Sequence, residues 1–372
     1  MTEHDLETRH IRRSDMVACK LAFIDCKMPG SERKENYSLI GAGVTQSHDQ
    51  VVNLTDPHGF SLGVAAMPPG TVNNLHIHFT AEVFMVQRGR WVFRWGADGR
   101  DGEIVGEAGD VVSIPTWIFR GFSNVGEEDG WIFTALGGDD TGGIIWHPSI
   151  LEQAARHGLY LTKDNMLIDT EAGAPKPSAE ALIEPIDPSS IAALRTYSVD
   201  EMRRRVVPAA GRVWSSRAML DSVLPGHASA LAPVIGAGMT QDRDHSAPIT
   251  NPHGFSIEWL RLDPGNQVGP FRLAARQVLI VFTGAMAISI DGATVQVETG
   301  EVFSTPDGTW RTIACTGSAP VEMAVVTAGD GPKHPEWPAE IVDAAGRAGT
   351  AVDHNGSLAP ARLLPHLMHA AE

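Results

Sequence analysis

Cysteine is scarce in this sequence, with three in 372 residues: Cys19, Cys26 and Cys315. An odd, sparse set excludes a disulfide scaffold and fits free thiols in a reducing, cytoplasmic setting. Cys19 and Cys26 have no second Cys/His pair nearby to complete a zinc spacing. Basic residues are also short, Lys+Arg 29 against Asp+Glu 45, a formal net charge of -16. That sign repels phosphate backbones and anionic bilayers, so neither nucleic acid nor a membrane surface is an expected partner. No apolar run approaches the ~20 residues of a membrane span. The opening stretch MTEHDLETRHIRRSD has no apolar core of a secretory signal.

What the sequence has is turns and repetition. Gly 38 and Pro 24 punctuate short apolar runs such as Glu82-Val-Phe-Met-Val-Gln, Trp91-Val-Phe-Arg-Trp and Asp110-Val-Val-Ser-Ile-Pro. Short β-rich runs between Gly/Asn/Asp turns predict an all-β sandwich or barrel. One unit is written twice. Ile40-Gly-Ala-Gly-Val-Thr-Gln46 returns as Ile235-Gly-Ala-Gly-Met-Thr-Gln241, and Asp56-Pro-His-Gly-Phe-Ser61 as Asn251-Pro-His-Gly-Phe-Ser256. Asp25 with Pro29-Gly30 returns as Asp221 with Pro225-Gly226, and Gly109…Pro115 as Gly300…Pro306. The duplication predicts two domains, 1–170 and 198–372, joined by a Pro/Ala/Ser-rich linker over 171–197. Ser198-Val-Asp-Glu201 is a capping box that opens a short helix. Pro148 to Gly158 and Pro338 to Gly349 read as matching short helices, with Pro at the start and Gly past the end.

The chemistry lies between Gly70 and Gly89. His76 and His78 are two apart on a strand, so both rings face one side. Glu82 reaches the same point if the chain turns through Phe79-Thr80-Ala81. Two imidazoles and a carboxylate then occupy one face of an ion and leave the opposite face open, as in non-haem Fe(II) oxygenases.

The spacing Gly70-x5-His76-x-His78-x3-Glu82-x6-Gly89 matches the first motif of the cupin superfamily. The second motif is approached at Gly109, Pro115 and Asn124, with Trp117 where Gly is usual and Arg120 where a fourth ligand, His, is usual. With the duplication, the chain resembles a bicupin over nearly its whole length. The resemblance implies two tandem cupin (double-stranded β-helix, jelly-roll) barrels with short flanking helices. A fainter resemblance to ring-cleaving dioxygenases of the gentisate and hydroquinone kind implies an oxidoreductase. Arginine stays protonated and cannot ligate a cation. Beside a metal site it is tolerated only where a carboxylate or a substrate anion stands between them.

The second copy is an internal control. Phe271, Leu273 and Gln277 stand at the positions of His76, His78 and Glu82, so that copy has no metal site there. His58 recurs as His253, which favours a structural role for both. Arg120 recurs as Arg311, a sign of an ion pair or loop clamp; binding a substrate anion is its other reading. Trp117 faces Gly308 in the alignment, and either narrows the mouth of the first barrel or packs on Phe119 or Phe122. Phe84 and Val86 share the parity of Glu82 and point inward, which makes them candidate pocket walls with Trp117. Asp139, Asp140 and His147 follow in a Gly-rich loop, and nothing in their spacing singles them out.

The expected function is therefore a mononuclear metal-dependent dioxygenase. Its metal is Fe(II), with Zn, Mn or Ni as alternatives, and its substrate a small oxygenated, hydroxylated aromatic or diol molecule. The alternatives are a non-redox lyase or isomerase on the same ligands, and a small-molecule-binding barrel without catalysis. Association into a homo-oligomer is compatible with the resemblance.

Overall fold

A computed structural model describes residues 2–364. The chain divides into two compact units: Ser14–Ala210, and the residues up to Arg13 together with the chain from Gly211 onward. Each unit is a β-barrel of two facing sheets. In the first, seven strands run in the order Val206–Val207, Val111–Ile114, Glu82–Arg88, Gly130–Gly137, Phe60–Met67, Glu35–Ile40 and Val52–Leu54. The opposing sheet has five: Ile144–Trp146, Val72–His78, Arg120–Asn124, Trp91–Trp95 and Gly102–Gly106. All pairs are antiparallel except Glu35–Ile40 with Val52–Leu54. The second unit repeats the plan with a six-stranded sheet against a four-stranded one.

The strands alternate as a half-filled barrel demands. Phe84, Val86, Phe93, Phe122 and Ile132 meet in the core of the first unit. Phe271, Leu273, Leu279, Phe303 and Val325 meet in the second. The helices Pro148–Arg156 and Ala339–Arg347 sit where the Pro and Gly signals put them.

The ends of the units differ from the division the repeat suggested. The capping box at Ser198 forms, and its helix Val199–Arg203 puts Met202 into the first barrel's core. Val206–Val207 then pairs with Val111–Ile114, and the Arg205 carbonyl accepts from Ser113 N at 2.9 Å. The equivalent segment sits 196 residues earlier. Thr2 caps the helix Glu3–Glu7, Leu6 enters the second barrel's core, and His10–Ile11 pairs with Val302–Thr305. There the Arg9 carbonyl accepts from Ser304 N at 3.0 Å. Each barrel's outer strand is thus covered by the arm that precedes the other barrel in sequence. The sheet edge is sealed either way; only the long-range pairing decides which barrel an arm serves.

Truncating an arm should therefore weaken the barrel it covers. Leu6→Ala is expected to cost about 2–5 kcal/mol and to speed amide exchange in Val302–Thr305. Met202→Ala should do the same to Val111–Ile114. Hydrogen exchange read by mass spectrometry checks this, and exchange changes at the opposite barrel would refute the assignment.

Candidate metal centre

The strand Val72–His78 delivers His76 and His78, and Glu82 opens the next strand after the Phe79–Ala81 turn. The ligand atoms of the three side chains lie within 4.8 Å of one another, and all three residues are buried. The imidazoles stand perpendicular, 4.9 Å apart between ring centres. The Asn74 carbonyl lies 2.6 Å from His76 Nδ1. A carbonyl only accepts, so Nδ1 carries the hydrogen and Nε2 keeps its lone pair, the tautomer a metal ligand needs. Burial, with the charges of Arg120 and Lys34, holds His76 well below the usual histidine range and hence neutral. His78 Nε2 faces Glu82 Oε1 at 3.5 Å, and its Nδ1 has no partner among the described residues.

Glu82 is shared. Its Oε2 accepts from Arg120 Nε at 3.1 Å and Nη2 at 3.0 Å, while Oε1 is turned to the histidines. Arg120 Nη1 donates to the His76 carbonyl at 3.1 Å. Burial pushes the Glu82 carboxyl up, to about 8. The guanidinium, giving it two charge-assisted hydrogen bonds, acts against that and favours the carboxylate. A carboxylate therefore does stand between the arginine and the position of an ion. Two imidazole nitrogens and one carboxylate oxygen fit a divalent metal of the Fe, Mn, Ni or Zn type. Behind His76 lies a second buried pair that no motif in the sequence announces. Lys34 donates to Asp25 and, at 2.7 Å, to Asn73 Oδ1, while Asp25 Oδ2 accepts from Asn74 N at 3.1 Å. This fixes the turn of backbone whose carbonyl orients His76. The recurrence of Asp25 as Asp221 is visible in the sequence; its lysine partner is not.

The three side chains form one wall of a cavity of about 70 Å³. At roughly 10–15 Å³ for one water, it takes a compact molecule. Its other walls come from Glu35–Ile40, Phe60–Met67 and the Gly41–Thr45 loop. The pocket walls expected from the sequence lie elsewhere. Phe84 and Val86 do point inward, but they pack deeper in the core, against Phe93 and Phe122. Trp117 is 48% exposed and stacks edge-on against Phe79 at 5.2 Å, rather than on Phe119 or Phe122. Its φ of 58° explains why Gly308, at φ 68°, serves the same turn without strain. Arg120 braces Glu82 and is not part of the cavity wall. His58 and His253 occupy equivalent loops: the backbone N–H of each donates to an aspartate, Asp139 or Asp330, at 2.7 Å. Asp139 is thus a loop clamp, and His147 caps the helix Pro148–Arg156.

The cupin domain model matches twice, at residues 63–135 and 258–327. The chain is a bicupin. Solved structures agree on the fold. The oxalate decarboxylase of Lactobacillus farciminis, in its formate complex, has a TM-score of 0.55 at 11% identity over 90% of both chains. A vicilin from Capsicum annuum has 0.54 at 10% identity over 97% of both. The Bacillus subtilis oxalate decarboxylase at pH 4.6 has 0.53 at 11% identity over 90% of this chain and 82% of its own. No curated protein sequence matches. Such different proteins on one fold leave function to the site. Among the described residues no helix is long and apolar enough to cross a membrane.

The second barrel of this bicupin shows how a site is closed. Phe271 and Leu273 are core residues, and Gln277 donates to Thr327 Oγ1 at 3.0 Å. Arg311 is retained; its guanidinium lies over Phe271, 5.0 Å from the ring centre. Burial lowers it to about 9, which still leaves it charged at neutral pH. Glu258 fills the space under the 236–240 loop, with Oε1 accepting from Met239 N at 2.7 Å. Burial pushes its carboxyl up to about 7 from an ordinary 4.5, and Lys333 only partly offsets this.

Two stability measurements follow. Arg120→Leu strands the buried Glu82 charge and should cost the metal-free protein about 3–5 kcal/mol in denaturant unfolding; a cost below about 1 kcal/mol would mean that the pair is not closed. For Glu258, the native state holds a proton between pH 4.5 and about 7 that the unfolded chain has released. Stability should fall as pH rises through that window and level off above it, by on the order of 1–3 kcal/mol. Glu258→Gln should flatten that slope, and an unchanged slope would place the titration elsewhere.

Proposed function

We propose that the first barrel is the mononuclear metal centre of a cupin oxidoreductase, a dioxygenase acting on a small oxygenated substrate. His76, His78 and Glu82 hold the ion through Nε2, Nε2 and Oε1. The observation that carries this is the convergence of three buried ligand atoms within 4.8 Å on the wall of a cavity. Fe(II), when bound, supplies redox chemistry with O2 at the coordination positions these side chains leave free.

The protein's own part is preorganisation. Asn74 keeps the His76 proton on Nδ1, so the ring offers a lone pair at neutral pH. Arg120 takes one oxygen of Glu82 and leaves the other to the ion. The three candidate ligands and Arg120 are themselves buried, which strengthens the charge interactions among them. Two buried Lys/Arg–carboxylate pairs, Lys34–Asp25 and Arg120–Glu82, cancel within themselves. A divalent ion would therefore bring an uncompensated positive charge, which favours a substrate that chelates through anionic or ionisable oxygens. The same donor set serves Mn, Zn or Ni as a Lewis acid for a lyase or isomerase. Manganese has a precedent on this fold, since the oxalate decarboxylase of Bacillus subtilis has Mn(II) centres.

Metal analysis of protein purified without oxygen, beside His76→Ala, is the test. About one iron per chain, lost in the variant, together with O2 uptake on a catechol and hydroxybenzoate panel, is the expected result. Another metal with turnover under nitrogen would replace oxygenation by Lewis-acid chemistry. No metal in either protein after reconstitution would leave a ligand-binding barrel.

A further inference from the structure

The two barrels differ at a further place besides His76, His78 and Glu82. In the first, Ser38 pairs with Gly63 and Gly63 with Thr134, so the three share one row of the sheet. In the second, the same row reads Pro233, Glu258 and Val325. One step further along the same strand, Asn36 faces Ala65, where the second barrel has Leu231 facing Leu260. The correspondence is pinned by matching bridges, Cys19 with Asn36 and Ser215 with Leu231. The metal-binding copy is thus polar where the other is apolar, and empty where the other carries a carboxyl side chain.

All four residues, Asn36, Ser38, Gly63 and Thr134, line the cavity that holds His76, His78 and Glu82. The room is close-fitting. A Cβ on Gly63 would stand 3.0 Å from the Tyr37 carbonyl and 3.3 Å from Thr134 Oγ1. Buried Asn36 Nδ2 has no hydrogen-bond partner among the described residues. A buried donor left without a partner costs about 1–3 kcal/mol, which a ligand acceptor would recover. Glu82 pairs with Leu136, and Thr134 is two residues along the same strand, about 7 Å away at ~3.3 Å per residue. No lysine or arginine is among the cavity walls, so a carboxylate beside Thr134 would meet no counter-charge there.

We propose that Asn36, Ser38, Gly63 and Thr134 form a substrate subsite for the neutral, hydroxylated end of a compact molecule whose other end chelates the ion. This rests on the metal-centre reading above and narrows its substrate class. Substrates carry their ionisable oxygens on the chelating end and an uncharged hydroxyl or carbonyl on the distal end. Carboxylated hydroxybenzoates are disfavoured. Gly63 sets the length accepted, and Thr134 and Asn36 read the distal oxygen.

Three catechols that differ only at the distal group test it: 4-(hydroxymethyl)catechol, 4-methylcatechol and 3,4-dihydroxybenzoate. Each is titrated calorimetrically under nitrogen into the full chain, with metal content measured on the same samples. The expected order is hydroxymethyl, then methyl, then carboxylate, with about tenfold for one good hydrogen bond. Thr134→Val, the second barrel's own residue, should remove the hydroxymethyl preference, and Thr134→Ser should restore it. Gly63→Ala should weaken both neutral substituted catechols relative to unsubstituted catechol. Tightest binding by the carboxylate, or a preference that survives Thr134→Val, overturns the subsite while the metal centre stands. Metal retained with no catechol bound overturns it as well. Protein that takes up no metal overturns the metal-centre reading, and the subsite falls with it.

Discussion

One buried carboxylate holds the first barrel's site together. Glu82 sits with one oxygen against the guanidinium of Arg120 and the other toward His78. Burying either charge is costly, and the pair offsets that cost because its hydrogen bonds are nearly complete. Arg120 also reaches the backbone carbonyl of His76, so one side chain braces a ligand on each of two strands. In the second barrel Gln277 stands at the position of Glu82, so the retained Arg311 finds no carboxylate there. Its Nε and Nη2 have no hydrogen-bond partner among the described residues. The arginine survives in both copies, while the arrangement around it differs.

That comparison separates what the fold requires from what the site requires. His58 and His253 keep the same backbone contacts to Asp139 and Asp330, and so belong to the barrel. His76, His78, Glu82 and the open row at Gly63 are particular to the first copy, whereas Asp25 and Asp221 make the same backbone contact, accepting from Asn74 N and Gly269 N, and so belong to the barrel. Closing the second barrel took more than losing ligands. Val44 and Gly63 correspond to Met239 and Glu258, a core side chain and a buried carboxyl joined by the Met239 N to Glu258 Oε1 hydrogen bond. A cavity near a metal site has to be held open, because tight packing is what a barrel interior otherwise adopts.

The clustering of His76, His78 and Glu82 is legible in the sequence because its signal is local. Two histidines at strand spacing and a glutamate one turn away lie within seven residues; strand parity puts the histidines on one face, and the short turn returns Glu82 to it. The tandem barrels are legible from the repeat. The position of Arg120 is visible, but its role is not, since its partner is 38 residues away on another strand. Parity correctly turns Phe84 and Val86 inward but does not say how deep. Barrel depth separates core from cavity, and it depends on how strands stagger across the sheet. The cavity walls at Asn36, Gly63 and Thr134 lie on three strands, so no spacing rule joins them. The arms escape for a like reason: His10–Ile11 pairs with strand residues nearly 300 positions away, and a β-edge accepts any strand of suitable pattern.

Fold likeness cannot choose among the functions this architecture hosts, as an oxalate decarboxylase and a vicilin match it almost equally well. The choice comes from the chemistry inside the first barrel. A binding protein without a metal has no need of two imidazoles turned toward one buried carboxylate oxygen. Each of those features is costly to bury and weak as a source of stability. The second copy lacks the three candidate ligands, and the metal chemistry proposed for the first would account for its donor set and its cavity together.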